Sequence, residues 1–220
     1  MQAMMIISIN VGLPRTLQHA GREVTTGIFK EPIEGPVMLR RLNLDGDRQA
    51  DLSVHGGRWK AVYAYPSEHY EFWRKELPGK DLPWGIFGEN LTTEGLKEDE
   101  TNIGDRFRVG EAVLEVSQPR IPCYKLGIRF GRDDIIKRFL ASGRSGNYFS
   151  VLEEGLVKAG DAIERIHEDE NGVSVAEVQR AYRDSAENIE VMRRAVKIPA
   201  LPDGWKEHFL KELSAVDQCR

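Results

Sequence analysis

Cys123 lies in the stretch Gln118-Pro-Arg-Ile-Pro-Cys-Tyr-Lys-Leu126, after two prolines and between two cations. Pro119 and Pro122 each remove a backbone donor and fix φ, which predicts a rigid loop here and not the interior of a strand or helix. Continuing to Arg132 adds Arg129 and Arg132, so the window from Gln118 holds four cations and no carboxylate. Nearby positive charge favours the ionised form of a thiol, so Cys123 is expected to act as a reactive or metal-binding thiolate. A buried structural cysteine is the competing reading, since cysteine is among the most buried residue types.

Three further glycine-bearing loops carry polar or charged side chains. In Val54-His-Gly-Gly57, the paired glycines let backbone amides approach an anion, with Arg58 and Lys60 following at once. His55 is therefore the histidine selected for chemistry; His19, His69, His167 and His208 read as surface or structural. Gly88-Glu-Asn90 and Arg144-Ser-Gly146 are the other two loops, contributing Glu89, Asn90 and Arg144. Asp47, in Leu44-Asp-Gly-Asp47, reads as turn chemistry. A thiol among cationic, glycine-bearing loops suits an anionic ligand whose soft centre accepts a sulfur donor. A Cys123–His55 nucleophilic pair is a second reading, because such partners can be far apart in sequence.

The elements that position these loops are short. Strands are expected at Met4–Val11, Val24–Lys30, Val37–Leu44, Lys60–Tyr65, Arg106–Val109, Ala112–Ser117, Tyr148–Leu152 and Asp161–Ile166, separated by Gly and Pro. Only two helices interrupt them. One runs from a Ser67 cap to Leu77, and the other from an Asp133 cap to Ser142. This spacing predicts a mostly β fold, a β-barrel with inserted helices spanning 1–167, and not a βαβ sheet. The acidic segment His167-Glu-Asp-Glu-Asn-Gly172 links it to a small C-terminal three-helix module over 173–216. There Ser174-Val-Ala-Glu177 is a capping box, Pro199 ends a second helix, and Asp203 opens a third.

The whole chain narrows the function classes. Its 220 residues suffice for one substantial domain and a small one. A net charge of −4 argues against nucleic-acid binding, which needs a basic face. The two cysteines make no disulfide framework, and no apolar run spans a membrane, so a cytoplasmic protein is expected. The sequence has no GxGxxG, P-loop, CxxC, HExxH or GxSxG pattern, which removes dinucleotide, P-loop, structural zinc and hydrolase-elbow readings.

Taken together, Gln118-Pro-Arg-Ile-Pro-Cys123, Val54-His-Gly-Gly57 and Phe87-Gly-Glu-Asn-Leu91 resemble the MOSC domain, the C-terminal domain of molybdenum-cofactor sulfurases. The likeness covers nearly the whole chain in the same motif order, and is nearest to the stand-alone YiiM-type branch with its C-terminal helical module. It implies a β-rich barrel that binds molybdenum cofactor (molybdopterin), with Cys123 as the metal ligand. Reductases of this kind remove oxygen from N-hydroxylated bases and amidoximes, so the expected substrate is a small N-hydroxylated compound such as a hydroxylaminopurine. Arg120, Lys125, Lys60, Arg58, Gly56, Gly57 and Arg144 are expected to contact the cofactor, Glu89 and Asn90 to shape the pocket, and His55 to position groups or deliver a proton. The alternative is a non-catalytic carrier of cofactor or sulfur using the same cysteine. With no CxxC iron–sulfur module, electrons are expected from a separate electron-donor protein. The companion domain of amidoxime-reducing relatives is missing, which leaves the pocket to be closed by the helical module or by a second subunit in a homodimer.

Overall fold

The computed structural model describes residues 4–51 and 56–218. The strands are β1 (Met4–Val11), β2 (Arg15–His19), β3 (Arg22–Thr26), β4 (Glu31–Ile33), β5 (Val37–Leu39), β6 (Val62–Pro66), β7 (Leu91–Glu94), β8 (Arg106–Val109), β9 (Ala112–Pro119), β10 (Asn147–Glu153), β11 (Gly155–Val157) and β12 (Ala162–His167). The helices are α1 (Glu68–Glu76), α2 (Tyr124–Phe130), α3 (Ile135–Ser142), α4 (Val175–Arg183), α5 (Ile189–Ala195) and α6 (Asp203–Gln218). No helix among the described residues is long and apolar enough to cross a membrane.

Seven strands close into a barrel in the order β12-β8-β9-β10-β6-β7-β1, with β1 returning to β12. Closure rests on the start of β1, where Met4 pairs with Ile163 and Met5 with Ala162. The far half of that same edge takes β4, with Ile9 opposite Ile33 and Val11 opposite Glu31. The barrel pairings are antiparallel except β6 with β7, which run parallel because the α1 crossover lies between them. The expected mostly β barrel with inserted helices and a terminal three-helix module is the fold observed.

Two apolar clusters hold it together. The first fills the barrel with Ile6, Leu39, Val62, Phe107, Leu114, Val116 and Phe149, and continues without a break into Val175, Val178, Met192, Ile198 and Phe209 of the helices. Backbone bonds join the two parts, Ile103 N–H donating to the Val173 carbonyl at 2.9 Å and Val175 N–H to the Thr101 carbonyl at 2.9 Å. The second cluster lies outside the barrel wall under α1, α2 and α3. It is largely aromatic: Tyr65, Tyr70, Trp73, Phe87, Phe130 and Phe139, with Phe87 stacked on Tyr65 at 4.5 Å between ring centres.

Several local expectations need correction. Three helices, not two, interrupt the strands, because the chain turns helical straight after Cys123. The strand predicted at Val24–Lys30 stops at Thr26, and that at Val37–Leu44 stops at Leu39, where a turn through 40–43 folds Leu44 back to bridge Leu39. Arg15–His19, where no strand was expected, pairs with β3 as a hairpin. Ser67 does not cap α1 through its side chain. The residue preceding α3 is Asp134, whose carboxylate is drawn to Arg132 and Arg138 and not to the helix amides. The Ser174–Glu177 capping box forms as expected, Glu177 N–H to Ser174 Oγ at 3.1 Å and Ser174 N–H to Glu177 Oε2 at 2.8 Å.

Candidate active site

The cysteine loop leaves the barrel at the end of β9, where Gln118 and Pro119 still pair with Tyr148 and Asn147 of β10. After four intervening residues α2 begins, with Cys123 extended just before its first turn. Arg120 turns inward between these two anchors. It is buried, donates to the Phe87 carbonyl, and holds its guanidinium 4.7 Å from the Tyr63 ring centre. Burial opposes its charge, but the Tyr63 and Tyr148 hydroxyls and Cys123 outweigh that and raise its pKa. A permanently charged arginine is thus fixed behind the thiol.

Below it lies a chamber of about 80 Å³. Its walls carry five cations, Lys30, Arg48, Lys60, Arg120 and Lys125, against one carboxylate, Asp47. Asp47 Oδ1 takes the Lys30 ammonium and also the Gly12 N–H at 2.9 Å, while its Oδ2 accepts from Asn90 Nδ2 at 2.9 Å. Asn90 in turn accepts the Tyr63 N–H on its side-chain oxygen at 3.2 Å. Burial lowers the Lys30 pKa, with Asp47 opposing. Gly88 has a φ of +79°, and a Cβ there would stand 2.9 Å from Ile28 Cγ1, so only glycine lets this loop close over the chamber wall.

Above the thiol the chamber opens into a wider cleft of about 720 Å³. One side is the turn Gly56–Lys60, in which Gly57 has a φ of +86° and Lys60 N–H donates to its carbonyl at 3.1 Å. The other side comes from the helical module: Tyr182, Pro202, Gly204, Trp205 and His208. The Gln118 amide clamps the two sides. Its Nε2 donates to the Trp59 carbonyl at 3.1 Å, and its Oε1 accepts from Trp205 Nε1 at 2.7 Å. Cys123, Lys60 and Tyr148 line both chamber and cleft, so the thiol sits where the two meet. Burial lowers the Lys60 pKa, and the neighbouring Cys123 counteracts part of that.

The structure therefore brings Cys123, Arg120, Lys125, Lys60 and Asn90 to the chamber, and Gly56, Gly57 and Arg58 to the cleft beyond Cys123. Glu89 and Arg144 line neither. Glu89 is fully buried behind the wall, where its Oε1 accepts from the Tyr70 hydroxyl, from Gly85 N–H at 2.8 Å and from the Thr92 hydroxyl at 3.0 Å. Burial raises its pKa. Arg144 lies over the Phe72 ring at 3.8 Å and donates to the Ser142 carbonyl at 3.0 Å. His55 lies outside the described residues. His69, read as surface or structural, hydrogen-bonds Glu98 at 2.7 Å with its side chain 12% exposed.

Sequence reasoning missed Lys30, Tyr63 and Tyr148, and also the cleft residues Trp59, Tyr182 and Trp205. His208, read as surface or structural, lines the cleft, and Asp47 is the chamber's carboxylate as well as a turn residue. The one local signal was Trp59 beside Lys60, within the cationic run that follows Gly56-Gly57. Among the described residues, no group of three or more His, Cys, Asp and Glu side chains is placed to hold a metal ion.

Comparison with known proteins fits this arrangement. The MOSC domain profile matches residues 51–164, and the YiiM-like, 3-alpha helix domain profile matches residues 173–215. The chain is 44% identical over 207 residues to the uncharacterized protein YflK of Bacillus subtilis, covering 94% of this chain and 93% of that one. It is 37% identical over 182 residues to a protein named reductase from Gibberella moniliformis, covering 81% of this chain but only 32% of the fungal one. Among solved structures, YiiM from Geobacillus stearothermophilus superposes with a TM-score of 0.80 at 36% identity, covering 96% of this chain and 99% of that one. Motif, barrel and terminal helices agree, and the chain belongs to the MOSC domain family, with the YiiM-like three-helix extension.

Proposed function

We propose that this protein binds molybdenum cofactor and reduces small N-hydroxylated compounds, with Cys123 as the protein's ligand to the metal. The observation that carries this reading is the position of Cys123, shared between a cationic chamber and a wide aromatic cleft. The residues present suit the cofactor. A single thiolate is a soft donor for a metal that arrives with its own sulfur ligands, and the chamber cations suit an anionic phosphate. Arg120, Lys125 and Lys60 are the residues assigned to that phosphate, with Arg58 at the outer rim.

When bound, the cofactor supplies a metal centre able to accept an oxygen atom in a two-electron reaction. The overall change is R–NHOH plus two electrons and two protons giving R–NH2 and water, the electrons coming from a separate electron-donor protein. Lys60 is suited to deliver one of those protons from Nζ, because it is half-buried beside Cys123 and burial makes its ammonium a stronger acid.

The test is molybdenum analysis of protein purified from cells that make the cofactor, with Cys123→Ser alongside, followed by reduction of 6-hydroxylaminopurine with a chemical electron donor. Near-stoichiometric metal and turnover in the wild type, with both lost in the variant, are expected. Metal-free wild-type protein overturns the reading. Wild-type protein that holds metal but reduces no N-hydroxylated compound replaces it with the carrier alternative.

A further inference from the structure

We propose that the helical module determines substrate choice: Tyr182, Trp205 and His208, facing Trp59 of the barrel, form a seat for a planar nitrogen heterocycle. The proposal deepens the reductase reading and rests on it for its kinetic arm. Tyr182 packs 5.1 Å from the Trp205 ring and 5.0 Å from the His208 ring, which makes a continuous aromatic surface on one side of the cleft. Trp205 cannot swing away, because its N–H is held by Gln118.

Two nitrogens point to what belongs there. Among the described residues, Trp59 Nε1 and His208 Nε2 are both buried and meet no hydrogen-bond partner. Burying a polar nitrogen without a partner is unfavourable, so a ligand that supplies partners is favoured at this place. A purine-like ring offers acceptor nitrogens at its edge for the indole N–H and a flat face for the aromatic wall. An aliphatic N-hydroxylated compound offers neither. Cys123 opens on the same cleft, so a base seated there has its N-hydroxyl group on the side of the thiol. Base–aromatic stacking is strong enough that losing one ring should weaken binding roughly tenfold.

A pterin is also a planar nitrogen heterocycle, and the experiment separates the two sources. Tyr182→Ala and His208→Ala are prepared in the full chain. Tyr182 is 41% exposed and His208 Nε2 has no partner to strand, so folding should survive, and thermal unfolding checks this. Adenine binding to metal-free protein is followed by quenching of tryptophan fluorescence, two of the four tryptophans lining the cleft. Molybdenum content is measured on loaded protein, together with the selectivity for 6-hydroxylaminopurine over an aliphatic amidoxime.

The expected result is adenine binding weakened about tenfold in each variant, selectivity falling by the same factor, and molybdenum content unchanged. Failure of the wild type to bind adenine, or wild-type affinity in both variants, overturns the proposal. Loss of molybdenum in the variants also overturns it, and assigns the wall to the cofactor's ring. Adenine binding that behaves as expected in protein that reduces nothing leaves the seat standing and removes the reductase reading.

Discussion

Lys30 and Asp47 form an ion pair at the floor of the chamber, their side chains 8% and 1% exposed. Every other bond to the Asp47 carboxylate serves to place something: Gly12 N–H fixes the loop after β1, and Asn90 Nδ2 fixes the Gly88 turn. Breaking a buried pair from one side leaves an uncompensated charge, which costs far more than the pair contributes.

Asp47→Asn is therefore expected to lower stability by about 3–5 kcal/mol in denaturant unfolding. Burial holds the folded-state Lys30 pKa below its ordinary 10.5, so in the relevant window the unfolded chain binds more protons than the folded one. Stability controlled by that lysine rises with pH. The deficit of Asp47→Asn should consequently narrow as the pH approaches 10.5, and a deficit that widens would contradict this account.

Glu89 gives the opposite sign. Its folded-state pKa is raised above the ordinary 4.5 by burial, so its favourable contribution is full below that value and is lost as the pH climbs through the folded value. Glu89→Gln keeps an oxygen for Tyr70, Gly85 and Thr92 but cannot ionise. Thermal unfolding of the two proteins should converge near pH 4.5 and diverge in favour of the variant at higher pH.

The Gln118 clamp predicts a local effect. Gln118→Leu removes both bonds, leaving Trp205 Nε1 without its acceptor, at a cost of about 1–3 kcal/mol. Hydrogen exchange should quicken in α6, while β1, far from the clamp, keeps its wild-type protection. Uniform quickening along the chain would show that the residue matters only to global stability.

Gly146 carries a φ of +67°, and a Cβ there would stand 2.6 Å from the Ala64 carbonyl oxygen and 2.7 Å from Tyr63 Cε2. Gly146→Ala is expected to cost about 2–3 kcal/mol and to push the Tyr63 ring off Arg120. Near-ultraviolet circular dichroism should register the displaced tyrosine even where far-ultraviolet signals are unchanged.

What the sequence revealed depended on how local the cause was. β1 and β8 were legible to the residue, because the apolar run of the first and the alternating Arg-Phe-Arg-Val of the second are bounded by turns. The α4 start was legible because a capping box is complete within four residues. The β2–β3 hairpin was not, since it stands off the barrel and carries only Leu17 and Val24 as apolar residues. The two prolines correctly marked a break at Arg120–Pro122 but hid the helix that begins just beyond it. At the site, Cys123 and its cations stand close in sequence. Lys30 reaches the chamber, and Trp59 and Trp205 the cleft, from three separate stretches of chain, and only the packing of the helices on β9 brings Trp205 to Gln118.

The closure of the barrel through Met5 and Ala162 has a consequence for synthesis. A chain emerging from the ribosome cannot seal its barrel until β12 has been made, so β1 waits with one edge open through most of translation. During that interval β4 can cover only the Ile9–Val11 half of the edge. The start of β1, with Met4 and Met5, is then the segment most in need of a chaperone's protection, and a ribosome pausing before β12 would prolong its exposure.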